Sequence, residues 1–440
     1  MSRGNFHIAG VAGVGMSALA ELLLALGHEV SGSDRSSDQG HRLDVLEKLG
    51  RMGLKLLPQD GSAISPSTTA LLVSTAIEDT NPEIAAAKKL GVEIVHRADM
   101  LERIARGRRV VAIAGTAGKT TTTALVGWLL EECGLDPTVV NGGVILNWAA
   151  PGRVGNCRVG NCRVGKSDLF VLEVDESDKS LLKFHPELSA ITNVSKDHFE
   201  LDVVVTLFKQ FASQTSQTVL CGDGAAELLS LPTGDAIHGT HETHRVVYRG
   251  VEFHVPLIGR HNAENALMAI RVCEALGCTL PTIRDALPGF RGVGRRLEIV
   301  GKTADGVLVV DDYAHNPAKI AASWRAVRET AARVFGFWRP HGFGPLALMK
   351  DELADALAGA MERGDRLFVL PVFYAGGMAK KTITSEEWVV QLRQHGIAAH
   401  FVADYDALEY ALSAAQNGDA ILGMGARDPE LPKFARHLAK

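Results

Sequence analysis

Cysteine is scarce in this chain. Its six cysteines (Cys133, Cys157, Cys162, Cys221, Cys273 and Cys278) in 440 residues are too sparse for a disulfide framework, and none form a C-x-x-C pair. A reducing compartment is therefore expected. Long basic runs are also missing, and 46 Lys and Arg stand against 51 Asp and Glu for a formal charge of −5. That balance offers no electrostatic footprint for nucleic acid or an anionic membrane. No apolar stretch reaches membrane-spanning length. The opening Met1–Gly27 is interrupted by glycines and by Glu21 and has no basic flank, so it does not read as a secretory leader. A cytoplasmic globular protein is expected, in which any anionic substrate must be met by local positive groups.

What the chain does have is 46% hydrophobic residues, enough for each of two to four domains to bury a core. Three times a short β-branched run leads into a Gly- or Asp-rich turn and then a helical pattern, the rhythm of parallel α/β units. The first segment, 1–107, has strand-like runs at Phe6–Gly10, Glu29–Asp34, Ala70–Ser74 and Val92–His96, with a helix over Ser17–Leu26. A second, 108–294, has runs at Arg109–Gly115, Leu169–Glu173 and Leu188–Asn193. The third, 295–440, has Gly306–Asp312, Arg366–Pro371 and Asp419–Met424 alternating with helices over Lys319–Arg333, Lys350–Glu362 and Asp406–Gln416. The expected class is α/β with three domains: N-terminal Rossmann-like, central P-loop ATPase-type and C-terminal Rossmann-like. A near-tandem repeat, Arg153-Val-Gly-Asn-Cys157-Arg-Val-Gly-Asn-Cys162-Arg-Val-Gly165, reads as a slipped duplication in a surface loop.

The sharpest motif is Gly115-Thr116-Ala-Gly118-Lys119-Thr120-Thr121, set between an apolar strand and a helix. A phosphate chain needs glycines for close backbone approach, a helix N-terminus, a lysine and a hydroxyl for Mg²⁺, and all occur here in order. A Gly-rich helix cap would leave Lys119 and the threonines after it unexplained. Glu173-Val-Asp175-Glu176-Ser-Asp178 follows a strand end, where a hard carboxylate could hold Mg²⁺. Glu173 is the favoured ligand, while the other three acids fit a capping turn equally well. Lys196 and His198 follow another strand end. Asn262 and Asn265, three apart on a helical pattern, would share one face, able to read adenine or to cap the helix. Asp311-Asp312-Tyr-Ala-His315 could supply ribose and substrate contacts or form a turn. Gly10-Val-Ala-Gly13-Val-Gly15 with Asp34 has the spacing G-x-x-G-x-G, which says diphosphate more than it says a nicotinamide dinucleotide.

Together these motifs resemble the Mur ligases, ATP-dependent amide-forming enzymes of peptidoglycan synthesis, and most closely the alanine-adding branch. The resemblance spans nearly the whole chain, from His7–Ser17 and Ser31–Asp34 through Val73–Ile77, Asn81-Pro-Glu83, His96-Arg97-Ala98 and Gly115–Thr123 to Asp197-His198, His261-Asn262 and Asp312–Pro317. It implies ATP and Mg²⁺ as cofactors, with UDP-N-acetylmuramate and an amino acid, L-alanine first, as substrates. It places Gly115, Thr116, Gly118, Lys119, Thr120, Thr121, Asn262, Asn265, Arg296 and Asp312 at the nucleotide. Thr120, Glu173 and His198 fall at metal positions, and Gly13, Gly15, Asp34 and Ser74 at the uridine diphosphate. The implied catalytic set is Lys119, Glu173, His198 and His315. A monomer or weak homodimer is expected, with hinges near 107 and 294.

The chain departs from the family where P-H-R-Y-T-R is usual: Gly342 and Pro345 replace both arginines, which in the family help place the amino acid's carboxylate. Arg427 replaces a glycine in M-G-A-G-D, and Ala117 replaces a histidine. A ligase taking a different amine, or a non-catalytic ATP-binding relative, are the alternatives.

Overall fold

The computed structural model describes residues 3–40, 43–149, 160–196, 199–222, 224–231, 240–242, 244–373 and 381–440. The chain divides into two compact units. One comprises Met1–His241, Arg245–Pro256 and Glu264–Arg291, and the other Glu242–His244, Leu257–Ala263 and Gly292–Lys440.

The first unit holds two largely parallel sheets. Strands β1 (Asn5–Ala9), β2 (Glu29–Ser33), β3 (Lys55–Leu56), β4 (Ala70–Val73) and β5 (Glu93–His96) lie in the order β3-β2-β1-β4-β5, all parallel. Ile8, Leu71 and Leu72 are fully buried, as expected of strands covered on both faces. The crossovers carry their own punctuation. Helix Pro82–Leu90 has Asn81 as N-cap, Pro82 in its first turn and Gly91 at φ 68° as its stop.

The second sheet contains β6 (Arg109–Ala114), β7 (Thr138–Val140), β8 (Cys162–Arg163), β9 (Leu169–Glu173), β10 (Leu188–Ile191) and β11 (Thr218–Cys221), ordered β11-β10-β6-β9-β7-β8 with β8 antiparallel. Register aligns the strand ends. Ile113 pairs with Glu173 and Ala114 with Ile191, so the turns after β6, β9 and β10 emerge side by side. The described end of the repeat, from Gly160, is not a surface loop. Cys162 is buried in β8, and buried Arg163 bonds the Pro137 carbonyl at 2.5 Å and the Asp136 carboxylate. A guanidinium so paired can be enclosed, which is why an arginine-bearing repeat enters the sheet. Cys157 and the first copy lie outside the described residues. Strands β12 (Thr240–Glu242), β13 (Arg245–Tyr248) and β14 (Val251–His254) form a small third sheet. Arg249 and Gly250, both at positive φ, make the two-residue hairpin turn between β13 and β14.

In the second unit, β15 (Glu298–Lys302), β16 (Leu308–Asp312), β17 (Val334–Trp338), β18 (Arg366–Val369), β19 (Ala399–Phe401) and β20 (Ala420–Met424) are ordered β15-β16-β20-β17-β18-β19, with β15 antiparallel. The expected helix over Lys319–Arg333 is Pro317–Arg328, because the chain turns at Glu329 to enter β17. Gly336 is obligatory in that strand, since a Cβ there would sit 2.2 Å from the ring of buried Trp324. The helix expected over Lys350–Glu362 runs from Phe343 to Ala358. No helix among the described residues is long and apolar enough to cross a membrane.

Candidate active site

The site is built on the adjacent ends of β6, β9 and β10, with the turn after β1 completing it. Helix Lys119–Glu132 starts directly after Gly118, whose φ of 82° suits glycine. A Cβ on Gly118 would come 2.2 Å from Asn265 Oδ1, and one on Gly115 would come 2.0 Å from Thr192 Oγ1. Both glycines therefore let side chains from other elements touch the loop backbone. Asn193 clamps the loop: its Oδ1 accepts from Ala117 N–H and its Nδ2 donates to the Ala117 carbonyl, both at 2.9 Å. Thr116 Oγ1 donates to Ser195 O at 3.1 Å and accepts from Ser195 N–H at 3.0 Å. Ala117 is exposed and contributes only backbone, so the loop holds its shape without a side chain there.

Thr120 and Glu173 meet as the register requires. Thr120 Oγ1 donates to Glu173 Oε1 at 3.0 Å, and the other carboxylate oxygen accepts from Gly142 N–H at 2.8 Å. Lys119 Nζ lies 2.5 Å from Glu176 Oε2 and 3.6 Å from Asp175 Oδ1. Burial pulls the Lys119 ammonium's pKa down, but the charges of Glu176, Asp175 and Glu173 outweigh it, so the lysine is held protonated. Thr121 is buried in the first turn of the helix.

These groups suit Mg²⁺. Hard oxygens of Thr120 and Glu173 converge beside two further carboxylates, Asp175 and Glu176, that face a single lysine, and Glu176 Oε1 is buried with no hydrogen-bond partner. Among the described residues no trio of His, Cys, Asp and Glu side chains could hold a metal alone. Mg²⁺ asks for no such cage, taking one or two carboxylates with phosphate oxygens and water. His198 lies outside the described residues. Lys196 pairs with Glu200 at 2.8 Å on the surface.

A cleft of about 340 Å³ joins this corner to the first sheet. Gly13, Gly15, Ser74, His96 and Arg97 line it on one side, and Asn141, Gly142, Glu173, Asp175 and Asp178 on the other. Helix Val14–Ala25 starts at Gly13, directing backbone N–H groups toward the cleft. Asp34 steers this turn from below, its Oδ2 accepting from Ala12 N–H at 3.2 Å and its Oδ1 from Ser36 N–H at 3.0 Å. Sequence reasoning assigned no role to Gly142, Asn141 or the Asn193 amide. Gly142 and Asn141 follow a three-residue strand whose register against β9 no local pattern reveals, and the Asn193 clamp depends on β6–β10 pairing.

The two amides expected to share a face do different things. Asn265 Oδ1 accepts from Thr122 Oγ1 at 3.3 Å and packs on the phosphate loop. The Asn262 Nδ2 group donates to the Ile258 carbonyl at 2.9 Å at the start of helix Arg260–Ala275. In the second unit, Asp312 is committed to its own turn, accepting from Leu297 N–H at 2.6 Å, Ala314 N–H at 2.7 Å and Ser323 Oγ at 3.1 Å. Arg295 and Arg296 both lie over the Tyr313 ring. His315 donates from Nδ1 to the Tyr313 carbonyl at 3.0 Å and meets the His341 ring edge-on at 5.2 Å. Burial lowers the His341 pKa to about 4, with the positive charge of His315 and Arg427 adding to it. Arg339, next to the altered Gly342–Pro345 stretch, is occupied by Asp428 at 2.5 Å.

Known proteins resemble this chain over nearly its whole length. The sequence matches the Mur ligase family catalytic domain over residues 5–109, the Mur ligase middle domain over 113–207 and the Mur ligase glutamate ligase domain over 295–427. The UDP-N-acetylmuramate–L-alanine ligase of Gloeobacter violaceus is 35% identical, with 96% of this chain and 92% of that one aligned. Its counterpart in Synechococcus sp. is 34% identical over 96% of this chain and 84% of that one. The crystal structure of UDP-N-acetylmuramate–alanine ligase from Thermotoga maritima superposes with a TM-score of 0.80 at 26% identity, covering 99% of this chain and 98% of that chain. A murein peptide ligase from Psychrobacter arcticus shares the fold, with a TM-score of 0.70 at 22% identity and the same coverage. Matched by Mur ligase domains over most of its length and by a ligase 35% identical over 96% of it, the chain belongs to the Mur ligase family.

Proposed function

We propose that this protein joins L-alanine to the carboxylate of UDP-N-acetylmuramate at the expense of ATP, in the cytoplasmic stage of peptidoglycan synthesis. One observation carries the reading: a single cleft is lined both by the Gly13–Gly15 turn and Ser74, suited to a diphosphate, and by Glu173 and Asp175 beside Lys119 and Thr120. An anionic substrate held on the first group presents its free end to the second.

A carboxylate is a poor electrophile for an amine, so the ATP γ-phosphoryl group is first transferred to it, giving an acyl-phosphate. The amine attacks that carbonyl and phosphate departs from the tetrahedral intermediate. Two anions must meet in the first step. The backbone N–H groups of Gly115–Gly118 and the start of helix Lys119–Glu132 orient the phosphates, and Lys119 offsets their charge. Thr120, Glu173 and His198 are the proposed Mg²⁺ ligands. Held there, the metal would supply positive charge to offset that building on the transferring phosphoryl group. Gly13, Gly15, Asp34 and Ser74 are assigned to the uridine diphosphate. Asn262, Asn265, Arg296 and Asp312 are assigned to the nucleotide, and His315 to the reacting side of the third segment, with segment limits at 107 and 294.

The testing experiment is phosphate release and product mass with ATP, Mg²⁺, UDP-N-acetylmuramate and single amino acids, with Lys119→Ala as control. A Lys119-dependent alanine adduct is expected. Gly342 and Pro345 offer no guanidinium, and Arg339 is bound to Asp428, which favours one second reading: the same chemistry with a different amine. Turnover with another amine and not with alanine would select it.

A further inference from the structure

Lys119 is enclosed by its own chain. Its Nζ lies 2.5 Å from Glu176 Oε2, and the Glu176 side chain is only 2% exposed. The second Glu176 oxygen is buried and has no hydrogen-bond partner. Lys119 is also the first residue of the phosphate-loop helix, where an incoming phosphate oxygen would seek the same ammonium. The Glu176 carboxylate therefore already occupies the ammonium that a phosphate group would seek.

The backbone that carries Glu176 is fixed without help from its carboxylate. Asp175 Oδ1 accepts from Ser177 N–H at 3.1 Å, the Asp175 carbonyl accepts from Leu181 N–H at 3.1 Å, and the Glu176 carbonyl accepts from Lys179 N–H at 3.0 Å. Glu176 can thus leave Lys119 by rotating its own side chain. We propose that Glu176 is a resident surrogate for a nucleotide phosphate, pairing with Lys119 when no nucleotide is bound and yielding it when ATP arrives. This role rests on the ATP reading above. With Asp175 Oδ1 no nearer than 3.6 Å, Glu176 is the group that hydrogen-bonds the ammonium and aims it, and in exchange it competes with ATP.

That competition sets the sign of the test. Calorimetry on the full chain with the magnesium complex of a β,γ-imido ATP analogue reads binding without turnover. Glu176→Gln keeps the shape and removes the charge, so the analogue should bind about tenfold more tightly, the size expected from releasing one charge-assisted hydrogen bond. A merely structural Glu176 predicts the opposite sign. Equal or weaker binding, by a variant that still melts cooperatively, overturns the surrogate role and leaves the ligase reading standing. In a Lys119→Met background the gain from Glu176→Gln should vanish, and a gain that persists also overturns the role. If Glu176→Gln does not fold, Glu176→Asp, one methylene too short for the 2.5 Å contact, should bind the analogue about threefold more tightly. Equal or weaker binding by Glu176→Asp overturns the role in the same way. A wild-type chain that does not bind the analogue overturns the ATP reading itself, and the surrogate with it.

Discussion

The Thr120 hydroxyl donates to Glu173 Oε1 at 3.0 Å, although 53 residues separate the two in sequence. Only parallel pairing of β6 with β9 brings them together, and the pair supplies two hard oxygens next to the phosphate loop. Glu173→Gln keeps the hydrogen bond to Gly142 but removes the charge that a magnesium ion would require. Loss of one such electrostatic contact at a charge-developing centre lowers kcat by about 10²–10³-fold. Phosphate release titrated with Mg²⁺ checks this, and an unchanged kcat and metal dependence would remove Glu173 from the metal position.

Gly118 and Gly134 flank the same helix, and both have positive φ, 82° and 79°. Alanine at Gly134 meets nothing within 4 Å, whereas at Gly118 it would meet Asn265 Oδ1 at 2.2 Å. Gly134→Ala should therefore cost only about 1 kcal/mol for the left-handed backbone. Gly118→Ala carries that cost and must also push Asn265 off the loop. Its ATP KM should rise by at least tenfold, about 1.4 kcal/mol, while that of Gly134→Ala stays near wild type. Thermal melts and ATP titration of the two variants, side by side, test the difference.

The alternation of apolar runs with glycine and acidic turns makes the parallel sheets legible in the sequence, because each strand end is marked by chemistry: Gly115, Glu173, Asn193. Helix starts are less legible. The motif Gly115–Thr121 lies between a strand and a helix in the sequence, and the helix begins inside it, at Lys119, where Thr120 and Thr122 place their hydroxyls on Glu173 and Asn265. Strand β17 is hidden by its neighbour, since Arg328–Arg333 carries no glycine or proline to mark the end of the helix. Pairings of distant groups, Lys119 with Glu176 and Asn193 with Ala117, depend on register and leave no trace in spacing.

A buried ionisable pair supports the first sheet. His7 Nε2 lies 2.7 Å from Glu83 Oε1, with side-chain exposures of 1% and 0%, and Ser33 Oγ donates to the other carboxylate oxygen at 2.8 Å. Through Ser33 the network reaches the end of β2, one residue before Asp34. Glu83→Ala strips the buried acceptor from His7 Nε2 and from the Ser33 hydroxyl, leaving His7 only its Nδ1 contact with Ser31 Oγ and Ser33 only the Gln59 amide, and should cost about 3–5 kcal/mol. Glu83→Gln, which retains an acceptor, should cost about 1–2 kcal/mol. Urea midpoints for the two variants test this, and equal midpoints would mean that water replaces the missing carboxylate.

Glu21 gives the first unit a pH dependence of defined sign. It is 1% exposed on helix Val14–Ala25, with Lys48 at 2.5 Å, and burial pushes its pKa from 4.5 up to about 7 against the pull of that lysine. The folded chain therefore keeps a proton on Glu21 up to about pH 7, while the unfolded chain releases it near pH 4.5. Between those values the folded state binds more protons, so its stability falls as pH rises, by about 3 kcal/mol in all, and levels off above pH 7. Glu21→Gln cannot titrate. Its stability relative to wild type should shift in the variant's favour by about that 3 kcal/mol between pH 4.5 and pH 8. Urea unfolding of both proteins across this range measures the shift, and two parallel curves would show that Glu21 stays ionised in the folded chain.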